Sequence, residues 1–258
     1  VDLGIAGRWA IIAGSTRGLG RACAESLARE GVNLVINSRT PEGCEEAAES
    51  LRAFGVEVRP VAADVTTASG RAELASACEA PDILVTNCGG PSPTAFVDNT
   101  PEQWQEAFDA NFHSAVGLIA LVLPGMRDRG FGRIVNITSA MVTTPHPFMT
   151  LSIAARTALT GVAKAVSKEV AADNVTINNV LPERIDTDRQ RQMAELQVQV
   201  LGITLDEAYA EMAQSITAKR LGRPEEVGDA CAFLCAAQSG FLTGQNLHLD
   251  GGSYAGLV

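Results

Sequence analysis

The sequence predicts an α/β protein: one doubly wound domain spanning 1–258, with a seven-stranded parallel sheet, helices on both faces and a helical lid. Three observations predict it. Short β-rich runs alternate with helical stretches along almost the whole chain, as parallel strands joined by helical crossovers require. A glycine-rich turn sits between the first strand run and the first helix, where such folds bring a phosphate to a helix start. At 258 residues, with 46% hydrophobic and 19% charged, the chain has enough material for one large core and a globular surface.

The elements follow in order. "RWAIIAG" (8–14) leads to a helix near 18–30, and "VNLVIN" (32–37) to one near 41–54. "VEVRPVAA" (56–63) precedes a helix near 68–79, and "DILVTN" (82–87) a long one near 101–128. "GRIVNITS" (132–139) precedes a helix near 150–173; "VTINNVLP" (175–182) and "QNLHLDGG" (245–252) complete the strands. Right-handed crossovers place the helices on both faces. The rhythm breaks at about 183–222, which holds polar helical sequence and no strand. An insertion after a strand's C-terminal end commonly covers a site, so this segment is expected to be a lid; a plain surface hairpin is the alternative.

Charge and cysteines narrow the partners. A net charge of −10 disfavours nucleic acid and anionic membrane surfaces, which attract basic proteins. The apolar runs fall short of a membrane span, and no basic start precedes an apolar stretch. The six cysteines, Cys23, Cys44, Cys78, Cys88, Cys231 and Cys235, form no CxxC pair and no cluster of zinc-site spacing. Reduced thiols in a cytoplasm are expected, with Cys231 and Cys235 as core packing and no metal.

The turn "AGSTRGLG" carries Gly14, Gly18 and Gly20 directly after a strand. Glycines allow positive φ and close backbone approach to a phosphate, and the helix start offers free N–H groups and a positive dipole end. This is a Rossmann-type dinucleotide site. Contacts are expected from Gly14, Ser15, Thr16, Arg17, Gly18, Leu19 and Gly20. The second strand ends in Asn37, Ser38 and Arg39, where an acidic residue would bind ribose hydroxyls. A carboxylate repels a 2′-phosphate, whereas Arg39 can clamp it and Arg17 can add a second cation. NADP is therefore expected over NAD, with Asp64 and Val65 at the adenine edge.

These motifs resemble the short-chain dehydrogenase/reductase family, and within it the 3-oxoacyl-carrier-protein reductase-like members. The likeness covers nearly the whole chain. The glycine turn matches, with Ala13 where many members have Thr. "NCGG" (87–90) is similar to Asn-Asn-Ala-Gly, which brings Asn87 and Gly89 to the cofactor. The resemblance assigns Asn111, in "DANFHSA", to supporting a relay water, and Ser139, ending "NITS", to orienting substrate. "NNVLPERIDTD" resembles the Asn-x-x-x-Pro-Gly-x-x-x-Thr stretch beside the nicotinamide, with Glu183 in place of Gly, and sets Pro182 and Ile185 at the cofactor. "DGG" (250–252) matches the C-terminal signature. Homodimers or homotetramers, paired through the long fourth and fifth helices, are implied.

The family's Tyr-x-x-x-Lys pair falls thirteen residues past the Ser. Here those positions hold Ser152 and Arg156, four apart on one helical face. Arg156 can supply a charge and ribose hydrogen bonds, but a guanidinium keeps its proton and cannot take part as a neutral amine. Ser152 is a weaker acid than a phenol, and its side chain ends roughly 4 Å short of a Tyr oxygen. General acid catalysis contributes about 10²–10⁴-fold, or roughly 3–5 kcal/mol of barrier. A water can occupy that gap, or another acid can take the part. His146, in the loop between Ser139 and Ser152, has a suitable side chain; Tyr209 and Glu183 are further candidates, while His113 and Tyr254 suit packing or an interface. Lys164 lies roughly 12 Å along the helix from Arg156 and cannot stand in for the Lys. The expected function is NADP-dependent reduction of a small-molecule carbonyl, a ketone or oxoacyl-type compound, with a non-standard proton relay. The alternatives are a catalytically impaired NADP(H)-binding protein and a non-redox lyase, hydratase or isomerase reusing the site.

Overall fold

The structure, a computed structural model, describes residues 1–257. Seven strands form one parallel sheet: β1 (Trp9–Ile12), β2 (Asn33–Ser38), β3 (Val58–Ala62), β4 (Ile83–Thr86), β5 (Gly132–Ile137), β6 (Val175–Pro182) and β7 (Asn246–Leu249). Their order is β3-β2-β1-β4-β5-β6-β7, so the chain reverses direction across the sheet between β1 and β4. That switch opens a crevice at the C-terminal strand ends, where ligands bind in such sheets. The strand alternation, the single sheet and the doubly wound arrangement are those expected.

The helices are α1 (Gly18–Arg29), α2 (Pro41–Arg52), α3 (Ala68–Ser76), α4 (Pro101–Phe108), α5 (Ser114–Asp128), α6 (Thr150–Val170), α7 (Asp188–Leu201), α8 (Leu205–Ser215) and α9 (Pro224–Cys235). Local sequence starts and stops them. Thr100 and Gln103 form a reciprocal capping box at α4, as do Thr204 and Glu207 at α8. Gly202 ends α7 in the left-handed region at φ 69°, which costs glycine least.

Two cores flank the sheet. On one face Cys23, Leu27, Val227, Cys231 and Cys235 of α1 and α9 pack on Ile12, Leu34 and Val180. On the other, Leu118, Val122, Met126, Ala163 and Val170 of α5 and α6 pack on Ile11, Ile134 and Ile177. Burying one such aliphatic side chain contributes about 1.5–3 kcal/mol. Cys231 and Cys235 are thus core residues. The insertion is two antiparallel helices, α7 and α8, with their own small core of Ala194, Ala208 and Met212.

Two features add to the sequence reading. The long helix 101–128 contains a π-helical turn at Asp109–His113 between α4 and α5, a feature often found at functional sites. And Pro101–Asp128 as a whole is long and apolar enough to cross a membrane by length and composition, although no single apolar run suggested it. Its buried face, Leu118, Ile119, Val122 and Met126, lies on the sheet, so that part of the apolar character belongs to the core.

Candidate active site

The glycine turn is built by backbone geometry. Gly14 and Gly18 have φ of +57° and +58°, and a Cβ on Gly20 would lie 2.3 Å from the Gly14 carbonyl oxygen. The turn is bracketed from two strands: Asn87 donates to the Gly14 oxygen at 2.9 Å, and the Gly14 N–H donates to Asn37 Oδ1 at 3.3 Å. Ser15 is fully buried; its hydroxyl donates to the Ile12 oxygen, and both its N–H and its Oγ tie β1 to Asn37. Asn37 spends its amide on the Val61 and Ala63 oxygens. These side chains hold the turn's shape.

The start of α1 has no side-chain cap, and Arg17 stands at its N-cap position. Its first N–H groups are the unsatisfied donors that bind anions. A Cβ on Gly18 would meet nothing within 4 Å, and the same holds at Gly89. Thr16 is half-buried, and Leu19 packs against the α1–α9 core. Arg17 and Arg39 are exposed and carry no ion pair among the described residues. Ser38 donates to the Thr40 oxygen at 3.0 Å. Thr66 donates twice to Asp64, holding its carboxyl below the usual range, with Arg39 adding a smaller electrostatic pull; Val65 beside it is buried. An open glycine cradle, an uncapped helix start and two exposed arginines fit a phosphorylated dinucleotide.

The Ser152–Arg156 pair sits where β4, β5 and α6 meet. Arg156 donates from Nε to Ser152 Oγ at 3.1 Å, from Nη1 to the Ile137 and Thr138 oxygens at 2.9 and 2.8 Å, and from Nη2 to the Cys88 oxygen at 3.2 Å. Strand chemistry explains why these carbonyls are available. The Thr138 N–H donates to the Val180 oxygen, and the parallel ladder would return a donor to the Thr138 oxygen from residue 182. Residue 182 is Pro, which has no N–H. The β4–β5 ladder ends at Thr86–Asn136, just before Ile137 and Cys88. The guanidinium thus satisfies carbonyls that the sheet leaves open. No carboxylate among the described residues pairs with it, and burial lowers its pKa to about 10, with Cys88 opposing that shift and Arg189 adding to it. One Nη2 hydrogen of its five N–H donors remains uncommitted.

Ser152 is 5% exposed and accepts from Arg156. Ser139 caps a short 3₁₀ turn (Ala140–Val142) by accepting from the Met141 N–H at 3.2 Å, which leaves its own O–H free to donate. Asn111 lies in the π turn; its amide donates to the Gly89 and Ala107 oxygens, and its buried Oδ1 has no partner. A cavity of about 10 Å³ lined by Asn87, Cys88, Asn111, Ser114 and Arg156 adjoins it, room for roughly one water. Burial pushes the Cys88 thiol up, against the pull of Arg156.

Four other groups border this region. His146 is exposed on the loop before α6, with Nδ1 2.8 Å from the Pro147 oxygen. Pro182 ends β6, and Ile185 bridges to Gly222. Glu183 is half-buried, and burial pushes its carboxyl up, with Arg184, His146 and His248 opposing and Asp250 reinforcing. Tyr209 packs in the α7–α8 core, His113 is exposed beside Phe112, and Lys164 donates to the Gly244 oxygen. Two residues escaped sequence reasoning. Arg189, in the first turn of α7, donates to the Pro91 oxygen at 2.7 Å and fastens the insertion to the loop after β4. A cation in a helix's first turn, where acidic residues are favoured, was the available signal. His248, at the end of β7, stacks on Tyr254 and stands 3.5 Å from Thr143 Oγ1.

Residues 13–254 match the family model described as enoyl-(acyl carrier protein) reductase. The chain belongs to the short-chain dehydrogenase/reductase family. It is 34% identical over 253 residues to a 3-oxoacyl-[acyl-carrier-protein] reductase of Haemophilus influenzae, covering 96% of this chain and 98% of that one. Among solved structures it is similar to L-sorbose reductase from Gluconobacter frateurii complexed with NADPH and L-sorbose, with 32% identity, full coverage of both chains and a TM-score of 0.95. It is also similar to actinorhodin polyketide ketoreductase with NADPH, with 27% identity, 95% and 97% coverage and a TM-score of 0.91.

Proposed function

We propose that this family member is an NADPH-dependent oxidoreductase that reduces a small-molecule carbonyl compound, a ketone or oxoacyl derivative, without a tyrosine in its proton relay. The single observation that carries the reading is the glycine turn. Its uncapped helix start, flanked by the unpaired Arg17 and Arg39, fits a phosphorylated nicotinamide dinucleotide. Relatives of the same fold carry NADPH at high structural similarity.

NADPH supplies a hydride when bound. Gly14, Thr16, Arg17, Gly18, Leu19 and Gly20 hold its pyrophosphate side, with Ser15 shaping the turn. Ser38 and Arg39 hold the 2′-phosphate, Asp64 and Val65 the adenine edge, and Asn87, Gly89, Arg156, Pro182 and Ile185 the nicotinamide side. Ser139 donates its free O–H to the substrate oxygen, which polarises the carbonyl. Arg156 fixes the Cys88 loop against β5 and keeps a positive charge beside the reacting centre. Asn111 holds a relay water in the adjoining cavity. His146, exposed at the mouth, exchanges protons with solvent. Ser152 is the wrong group for the acid: it is buried, and its oxygen already accepts from Arg156. The chain acts as one domain, with α7–α8 as its lid. It assembles as a homodimer or homotetramer through α5 and α6, where Leu121 is 50% exposed, and works in the cytoplasm, where its six free thiols stay reduced.

The burial of Ser152 is also what a catalytically impaired NADP(H)-binding protein would display. NADPH consumption across ketones, quinones and oxoacyl thioesters separates the readings. Substrate-dependent oxidation with alcohol formed in equal amount supports the reductase. Tight NADPH binding with no turnover on any substrate supports the binding protein, and product without nicotinamide turnover indicates a lyase, hydratase or isomerase.

A further inference from the structure

We propose that Glu183 is the acid that protonates the substrate oxygen in this site, taking the part for which Ser152 is unsuited. The proposal rests on the carbonyl-reductase reading above. Placement comes first. Thr138 is held against Val180 by its N–H, so Ser139 lies opposite Pro182 and Glu183 follows one residue on. The Glu183 N–H donates to the Leu249 oxygen at 3.0 Å, which fixes its backbone at the end of β6. Neighbouring strands lie about 4.8 Å apart. The glutamate side chain, three carbon–carbon bonds of about 1.5 Å each, can carry its carboxyl a comparable distance from the strand end.

The face is also right. Side chains alternate along a strand, and the odd-numbered β6 residues Val175 and Ile177 share a core with Ala163 and Val170 of α6. Continued to Glu183, the alternation sets it on the side of α6 and of the loop that carries His146. No hydrogen bond or ion pair among the described residues engages its carboxyl. The charged groups facing it are Arg184 on its own segment, Asp250 and His248 at the end of β7, and His146 from the loop before α6. Burial and the 7%-exposed Asp250 favour the protonated carboxyl; the three cations or potential cations oppose them, and the net direction is upward. A carboxylic acid raised in this way gives a proton and regains it more readily than an ordinary glutamate does.

The step balances. The hydride from NADPH forms the new C–H bond as the C=O π bond breaks. The oxygen takes the Glu183 proton, and the O–H electron pair stays on Glu183 as a carboxylate. NADPH leaves as NADP⁺, and solvent restores the Glu183 proton, with the exposed His146 nearest the exit.

The test compares the parent with Glu183→Gln and Glu183→Asp. E183Q should lower kcat about 10²–10³-fold, leave calorimetric NADPH affinity within twofold, and abolish the ionisation that slows the parent as pH rises. E183D should recover part of kcat. Without turnover, infrared difference spectra of the parent should show a protonated-carboxyl band that persists above the pH at which an ordinary glutamate has ionised and that E183Q lacks. A folded E183Q with kcat within threefold of the parent, or a parent without that band, overturns the assignment of Glu183 while the reductase reading stands. A parent that oxidises NADPH with no carbonyl compound overturns the reductase reading and this proposal together.

Discussion

Replacing Arg156 with Met keeps the aliphatic bulk of the side chain and removes the guanidinium. The carbonyls of Ile137, Thr138 and Cys88 then lose their donor. An unsatisfied buried acceptor costs about 1–3 kcal/mol, so three set a gross loss of roughly 3 kcal/mol at the low end. Relief from burying a cation without a carboxylate partner returns part of it. A net destabilisation of about 2 kcal/mol is expected. In a domain of this size about 1 kcal/mol moves Tm by roughly 2–4 °C, so Arg156→Met should melt about 4–8 °C below the parent. The Thr138 oxygen is the acceptor that matters most, because Pro182 can never supply its ladder donor. The loop from Cys88 to Gly90 should loosen as well, weakening NADPH about tenfold in calorimetry. Circular-dichroism melts with and without NADPH provide the readout. An unchanged Tm would refute the claim that the guanidinium satisfies the sheet's open carbonyls. Unchanged NADPH affinity would refute its coupling to the cofactor side.

Further outcomes follow from other residues. Arg39→Asp should reverse the preference of NADPH over NADH in calorimetry, and salt should weaken the parent's NADPH binding, because the contact is between exposed charges; equal parental affinities for the two cofactors would contradict the Arg39 assignment. The Arg220 side-chain hydrogen bond and the Arg223 N–H hold Glu226 down to about 2. A depressed carboxylate contributes stability that is present above its unfolded value and lost as pH falls toward 2, so Glu226→Gln should flatten the acid limb of the stability curve; an acid limb identical to the parent's argues against this pair. Ser152→Tyr with Arg156→Lys restores a phenol and an amine at the spacing of the family pair and should raise ordinary ketone reduction, measured as kcat on simple ketones; a fall would mean that the space serves the native relay. Light scattering should give a dimer or tetramer mass, and Leu121→Glu on α5 should lower it; a concentration-independent monomer contradicts the α5–α6 interface.

The strand alternation made the sheet legible because every crossover returns the chain to the same edge, and each returning run carries its own apolar centre. The glycine turn was legible for a local reason: positive φ and close approach restrict Gly14, Gly18 and Gly20 within one short segment. The surroundings of Arg156 were less accessible. Its acceptors are backbone carbonyls on β4 and β5, and backbone atoms leave no mark in residue identity. Pro182 was the one sequence clue, since a proline ending a central strand deprives its neighbour of a donor. Within the π turn at Asp109–His113, Asn111 turns its amide to the Gly89 oxygen, a tertiary contact that helical periodicity cannot register. Ser15 reads as a cofactor contact, and its buried hydroxyl also ties the turn to Ile12 and Asn37, which residue identity does not reveal. Arg189 reads as a surface residue in a polar insertion until α7 is folded against Pro91.

The most direct test of the account is isotope transfer. The parent protein is incubated with NADPH deuterated at the nicotinamide C4, each face in turn, and a ketone or oxoacyl thioester that it turns over, and the product is analysed by mass spectrometry. The account predicts alcohol carrying one deuterium on the former carbonyl carbon from one of the two labelled faces, in amounts equal to the NADP⁺ formed. Product without deuterium from either face, or NADP⁺ formed without alcohol, would contradict it.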